Sequence, residues 1–82
     1  MSRVAIIFKI YPKEGKIEEA MQDIKSKLSP AAIQEFEVAF GIKIIKARFV
    51  FEDKNTKSSI LEEQLKSING VNEVEVEEES LI

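Results

Sequence analysis

The sequence predicts an α+β fold in which two helices cover one face of a four-stranded antiparallel sheet. Three observations carry this. Four segments alternate apolar and polar residues one by one, the period of a strand with one buried face. Two others repeat apolar residues at intervals of three and four, the period of a helix. The segments follow one another as β-α-β-β-α-β.

In the first strand, residues 3–10, Val4, Ile6, Phe8 and Ile10 share one face, and Arg3, Ala5, Ile7 and Lys9 the other. Tyr11-Pro12 breaks the pattern and Gly15 closes the connection. The first helix covers residues 16–28, with Ile17, Ala20, Met21, Ile24 and Leu28 as its apolar stripe. Glu18, Glu19 and Asp23 sit early and Lys25 and Lys27 late, which suits the helix dipole. Ser29-Pro30 stops it, because a residue before proline is driven out of helical geometry.

Residues 33–38 and 42–52 form the second and third strands. Phe36 and Val38 are expected to face the core, with Glu35 and Glu37 on the open face. In the third strand Ile45, Ala47, Phe49 and Phe51 alternate with Ile44, Lys46, Arg48 and Val50. The short Ala39-Phe40-Gly41 link reads as a hairpin in which Gly41 is able to take positive φ. After a polar turn at 53–56, a second helix starts near Thr56 or Ser58, either hydroxyl serving as cap, and ends at Ile68. Its stripe is Ile60, Leu61, Leu65 and Ile68, and Gly70 is its left-handed stop. Residues 71–77 form the last strand, with Val74 and Val76 opposed to Glu73, Glu75 and Glu77.

Right-handed crossovers joined by a hairpin give a ferredoxin-like sandwich with sheet order 4-1-3-2 and both helices on one face. The 82 residues suffice for a single domain spanning 1–82. On the open face this order sets Glu73, Glu75 and Glu77 beside Lys9, and Lys46 and Arg48 beside Glu35 and Glu37. Such cross-strand pairs contribute about 0.2–1 kcal/mol each.

Composition narrows the function. There is no cysteine and no histidine, which removes the thiolate nucleophile, the usual proton shuttle and the commonest metal ligand. The three glycines are isolated, so no phosphate loop is present. Glu77, Glu78 and Glu79 alternate between sheet faces and do not converge on a cation. No catalytic residue, metal or cofactor is expected. The longest apolar run, residues 4–8, is far short of a membrane span, and nothing at the start reads as a signal peptide. A cytoplasmic protein is expected. Residues 1–49 hold nine basic and six acidic residues, a charge of +3, while residues 50–82 hold three and nine, a charge of −6. The acidic half and an open face lacking stacking aromatics argue against nucleic acid.

Phe40 stands out. An aromatic beside glycine at a hairpin tip is typical of an interface anchor. The competing reading folds it inward to continue the Phe36 and Val38 face.

Several motifs together resemble a known family. They are Val38-Ala39-Phe40-Gly41-Ile42-Lys43, the acidic strand before it, Tyr11-Pro12 after the first strand, and Ile68-Asn69-Gly70-Val71 before the last. The chain resembles, over its whole length, the archaeal elongation factor 1-beta family, with Ala-Phe-Gly-Ile-Lys the most specific part. The resemblance implies the same ferredoxin-like fold. It also implies a guanine nucleotide exchange factor whose partner is elongation factor 1-alpha, acting by protein docking and monomeric when unbound. The partner-binding residues it implies are Ala39, Phe40, Gly41 and Lys43 in the hairpin, with Phe40 as the wedge, and Leu81 and Ile82 at the other end of the chain. Where the family carries a basic residue reaching toward magnesium and phosphate, this sequence has Leu81, preceded by a glutamate run expected to compete with phosphate in its stead. The alternative is a ferredoxin-like interaction module without exchange activity, or one that binds a small regulatory ligand.

Overall fold

The computed structural model describes residues 3–52 and 58–82. Its elements are β1 (Val4–Pro12), α1 (Ile17–Leu28), β2 (Ala32–Ala39), β3 (Ile42–Phe51), α2 (Ser58–Lys66) and β4 (Val71–Leu81). The strands form one sheet of order β2-β3-β1-β4, antiparallel at every junction. That is the expected 4-1-3-2 order of the ferredoxin-like sandwich.

The core follows from the alternation. Ile6, Phe8 and Ile10 of β1 and Ile45, Ala47 and Phe49 of β3 project to one face. There they join Ala20 and Ile24 of α1, Leu61 and Leu65 of α2, and Ile68, Val71 and Val74 in one buried cluster. Phe8 meets Phe49 edge to face, with centroids 5.9 Å apart and planes at 77°, the orientation favoured by the ring quadrupoles. Both helices therefore cover the same face, where their amphipathic stripes have the largest apolar area to bury.

Several details differ from the sequence reading. The α2 helix ends at Lys66, and Ile68 is buried in the turn beyond it, while Ile60 is half exposed. Gly70, at φ 100°, lies in that turn and not at a helix stop. A Cβ there would come within 3.4 Å of the Lys16 Cβ and 3.6 Å of the Ala20 Cβ, so the turn packs closely on the start of α1. Ser29 leaves α1 in the left-handed region, φ 48° and ψ 62°, so the helix stops before Pro30 as expected. The turn at 53–56 and a Thr56 cap lie outside the described residues.

The largest correction concerns β2. Register places Ile33 opposite Ala47 and Glu35 opposite Ile45, so Glu35 and Glu37 share the face that the helices cover lower down. Phe36, opposite Ile44, is on the open face, so that face does carry an aromatic, against the expectation, and Lys46 sits over its ring at 4.7 Å. Lys46 and Arg48 are opposite Gln34 and Ala32, not the glutamates. The acidic partner of β3 on this arm is Lys43's: its Nζ lies 3.5 Å from Glu35.

The β4 strand is also longer than expected, reaching Leu81 instead of stopping at Glu77. A register shift between its pairing with Ile7 and with Phe8 leaves Glu77 in a bulge. Its carboxylate sits 3.0 Å from Lys46 Nζ and 3.8 Å from Lys9 Nζ, and Lys9 also approaches Glu75 at 4.0 Å. Glu77 thus bridges two strands. Glu77→Gln is expected to lower stability by up to about 1 kcal/mol in low salt, with the difference shrinking in 1 M salt as screening takes over. Urea denaturation at both ionic strengths measures this, and a loss indifferent to salt would mean that the effect is not electrostatic. Next to this cluster the Tyr11 hydroxyl donates to Glu75 at 3.2 Å. Desolvation, and then the carboxylates of Glu75, Glu73 and Glu77, push its pKa up.

Candidate functional site

The site is built on the arm formed by β2 and β3. Ala39 pairs with Ile42, so the connection is two residues, Phe40 and Gly41. Both have positive φ, 49° and 77°. Positive φ at both loop positions is the signature of a type I′ turn, whose twist matches that of the flanking strands. Gly41 adopts this at no steric penalty. Phe40 does not: a side-chain-bearing residue in the left-handed region costs about 1–2 kcal/mol.

Phe40 is fully exposed, at 101% of its reference surface. Leaving such a side chain in water forgoes about 1.5–3 kcal/mol of burial. The turn thus holds a large apolar ring outward and in a strained conformation, and the inward reading is excluded. Val38, Ile42 and half-exposed Phe36 continue apolar surface along the same arm. Val38 is the extra residue where register shifts between Glu37 and Ala39.

Beside the tip is a groove of about 490 Å³, bounded on one side by Gly41, Ile42 and Lys43 and on the other by Pro12, Lys13, Glu14, Gly15 and Ile17. Its far wall is fixed from behind. The Lys13 amide donates to the Gly70 carbonyl at 2.7 Å, and the Lys16 amide to the Lys13 carbonyl at 2.9 Å. The groove residues before α1 were not anticipated. Their signal in sequence was Pro12 and Gly15 bracketing a short charged connection, which marks a turn but not what faces it.

Of the residues singled out from sequence, Ala39, Phe40, Gly41 and Lys43 come together at this tip. Leu81 and Ile82 do not. Leu81 is opposite Val4, and the Ile82 amide and carbonyl bond to Arg3 at 2.8 and 3.3 Å. The tip lies beyond the other end of β1, roughly 30 Å away at the rise of an extended chain. The glutamate run is likewise committed to the sheet, with Glu77 held by two lysines and Glu78 and Glu79 paired in the ladder with Ile7 and Ile6.

Among the described residues no group of three His, Cys, Asp or Glu is placed to hold a metal ion, and no helix is long and apolar enough to cross a membrane. The arrangement offers shape and apolar contact at the hairpin tip.

Residues 5–82 match the family described as the EF-1 guanine nucleotide exchange domain. Elongation factor 1-beta of Aeropyrum pernix is 39% identical over 84 residues, covering 94% of this chain and 93% of its own. The protein of the same name from Hyperthermus butylicus is 37% identical over 84 residues, covering 94% of this chain and 91% of its own. That from Thermoplasma volcanium is 30% identical over 88 residues and covers both chains completely.

Proposed function

This chain belongs to the EF-1 guanine nucleotide exchange domain family, and from that premise we propose how it works as a translation elongation factor promoting exchange of GDP for GTP on elongation factor 1-alpha. It acts by docking, with Phe40 as the wedge, Ala39 and Gly41 setting its angle, and Lys43 on the flank. Residues 1–82 serve as one cytoplasmic exchange unit, with no catalytic group, metal or cofactor of their own and no direct contact with nucleic acid or membrane.

The physical logic is linkage. A factor that binds the nucleotide-free GTPase more tightly than the GDP-bound form must weaken GDP binding by the same factor. It needs only contacts that differ between the two states. The observation that carries the reading is Phe40, held fully exposed at positive φ. A preset aromatic loses little conformational freedom on entering a pocket, so most of its burial appears as binding energy. Leu81 and Ile82 form a second, separate contact at the far end of the sheet. There the apolar Leu81 adds burial and not a charge.

The test is release of a fluorescent GDP analogue from elongation factor 1-alpha, with and without this protein. Saturating protein is expected to weaken GDP binding by about 5–150-fold, the usual range of such coupling, and to accelerate release. Unchanged release, with the protein folded and the GTPase able to bind nucleotide, would overturn the reading.

A further inference from the structure

We propose that the outer edge of β2 is a further docking surface, taking an extended segment of elongation factor 1-alpha as a fifth strand. The segment carries a carboxylate opposite Ala32 and an apolar residue four positions away, opposite Phe36. The inference rests on the exchange reading above but concerns a surface which that reading does not use.

Three observations support it. The β2 strand is an edge of the sheet and is exposed at seven of its eight positions, Ile33 excepted. The opposite edge, β4, is bulged and carries five glutamates, features that discourage strand addition.

Charge is the second. On the open face Lys9 and Lys46 are each held by carboxylates of β4. Half-buried Arg48 has no ion-pair partner among the described residues. Its neighbour on the edge strand is Ala32, whose methyl group leaves the guanidinium reachable from outside the sheet. A carboxylate on an added strand opposite Ala32 would meet Arg48 in a bidentate, charge-assisted pair. Arg48 lines a trough of about 270 Å³ together with Ala32, Gln34, Phe36, Lys46 and Glu77, whose carboxylate is already taken by Lys46 and Lys9. The half-exposed Phe36 ring gives an apolar seat four residues along, and Gln34 between them offers an amide to the strand.

The third is continuity. The β2 strand runs straight into the Phe40 tip, through Phe36 and the exposed Val38. A partner that takes Phe40 into a pocket is brought close to the end of β2. Strand addition supplies main-chain hydrogen bonds for affinity, and alternate side chains read the sequence.

The test combines hydrogen exchange with binding, using the full chain and nucleotide-free elongation factor 1-alpha. Every second backbone amide of residues 32–38, those that point away from β3, is expected to exchange at least about tenfold more slowly in the complex than in the protein alone, since each of these gains a ladder bond. Arg48→Gln is expected to weaken binding about tenfold or more, with Arg48→Lys partly restoring it, while GDP release at saturating factor stays dependent on Phe40. Ala32→Glu, which offers Arg48 a carboxylate from its own neighbour, should weaken binding similarly with the fold intact by circular dichroism. A complex that forms and accelerates GDP release, yet leaves these amides unprotected or is indifferent to Arg48→Gln, overturns the edge proposal and leaves the exchange reading standing. Protection already present in the protein alone, with a dimeric mass by light scattering, also overturns it by showing that the edge is taken by a second copy. Failure to accelerate release at all removes both.

Discussion

Phe40→Asn is expected to make this protein more stable and functionally defective at once. The native turn puts phenylalanine at φ 49°, followed by glycine at φ 77°. The substitution places Asn-Gly, the dipeptide that type I′ turns favour, at those two positions. Asparagine tolerates the left-handed region, so much of the roughly 1–2 kcal/mol of local strain is relieved. In a domain of this size about 1 kcal/mol raises the melting midpoint by roughly 4–8 °C. No burial is given up in return, because Phe40 is fully exposed. The same change removes the proposed wedge. Truncating an interface anchor typically costs about 2 kcal/mol or more, which is roughly 30-fold in affinity. Thermal unfolding followed by circular dichroism gives the first effect and the GDP-release assay the second. A stabilised variant that still accelerates release would remove Phe40 from the mechanism, whereas loss of activity in a stabilised variant cannot be assigned to misfolding.

Phe8→Ala gives the largest effect on folding. Phe8 is fully buried on β1, which has a strand on each side, and it stacks edge to face on Phe49. The cavity lies in the cluster shared by both helices, which limits how far the walls can collapse. Such a truncation costs about 3–5 kcal/mol. A domain of this length has total stability on the order of 5–10 kcal/mol, so the variant loses from about a third to all of it. The urea midpoint should fall accordingly with little change in slope, and exchange activity should fall only as the unfolded fraction grows. A loss below about 1.5 kcal/mol would show that the core relaxes to fill the space.

The two positions mark what each level of organisation governs. Phe8 lies on an alternating strand whose pattern gives its face, whereas Phe40 lies in a turn where the sequence left outward and inward placements open. Phe8 sits among Val4, Ile6 and Ile10 at intervals of two, and no other placement buries all four. The α1 stripe is equally plain, since Ala20 and Ile24 have no alternative face. The hairpin at Phe40-Gly41 was legible from its glycine and from the brevity of the link.

Phe36 shows where local reading fails. Alternation states that Phe36 and Val38 oppose Glu35 and Glu37, but not which pair faces the helices. Residues 34–39 of β2 are exposed on both faces of this edge strand, so hydrophobicity carries no sign there. Only pairing with β3 decides, through Ile33 opposite Ala47. The end of β4 is similar. Glutamates at 77, 78 and 79 break the alternation, yet the strand continues to Leu81 because its backbone bonds are made with β1 and do not depend on side-chain pattern. A bulge at Glu77 then sets which face each later residue takes.

By itself, then, the sequence determined the order of elements, the inward faces of β1, β3 and α1, and the presence of a short hairpin link that carries Phe40. These are properties of spacing and of single residues. The tertiary structure alone decided that Phe36 and Arg48 share the open face, that Glu77 joins two lysines from different strands, and that Leu81 lies at the opposite end of the sheet from Phe40. Each of those depends on register and strand direction, which are fixed by hydrogen bonds between segments distant in the chain and leave no mark on the periodicity of either one.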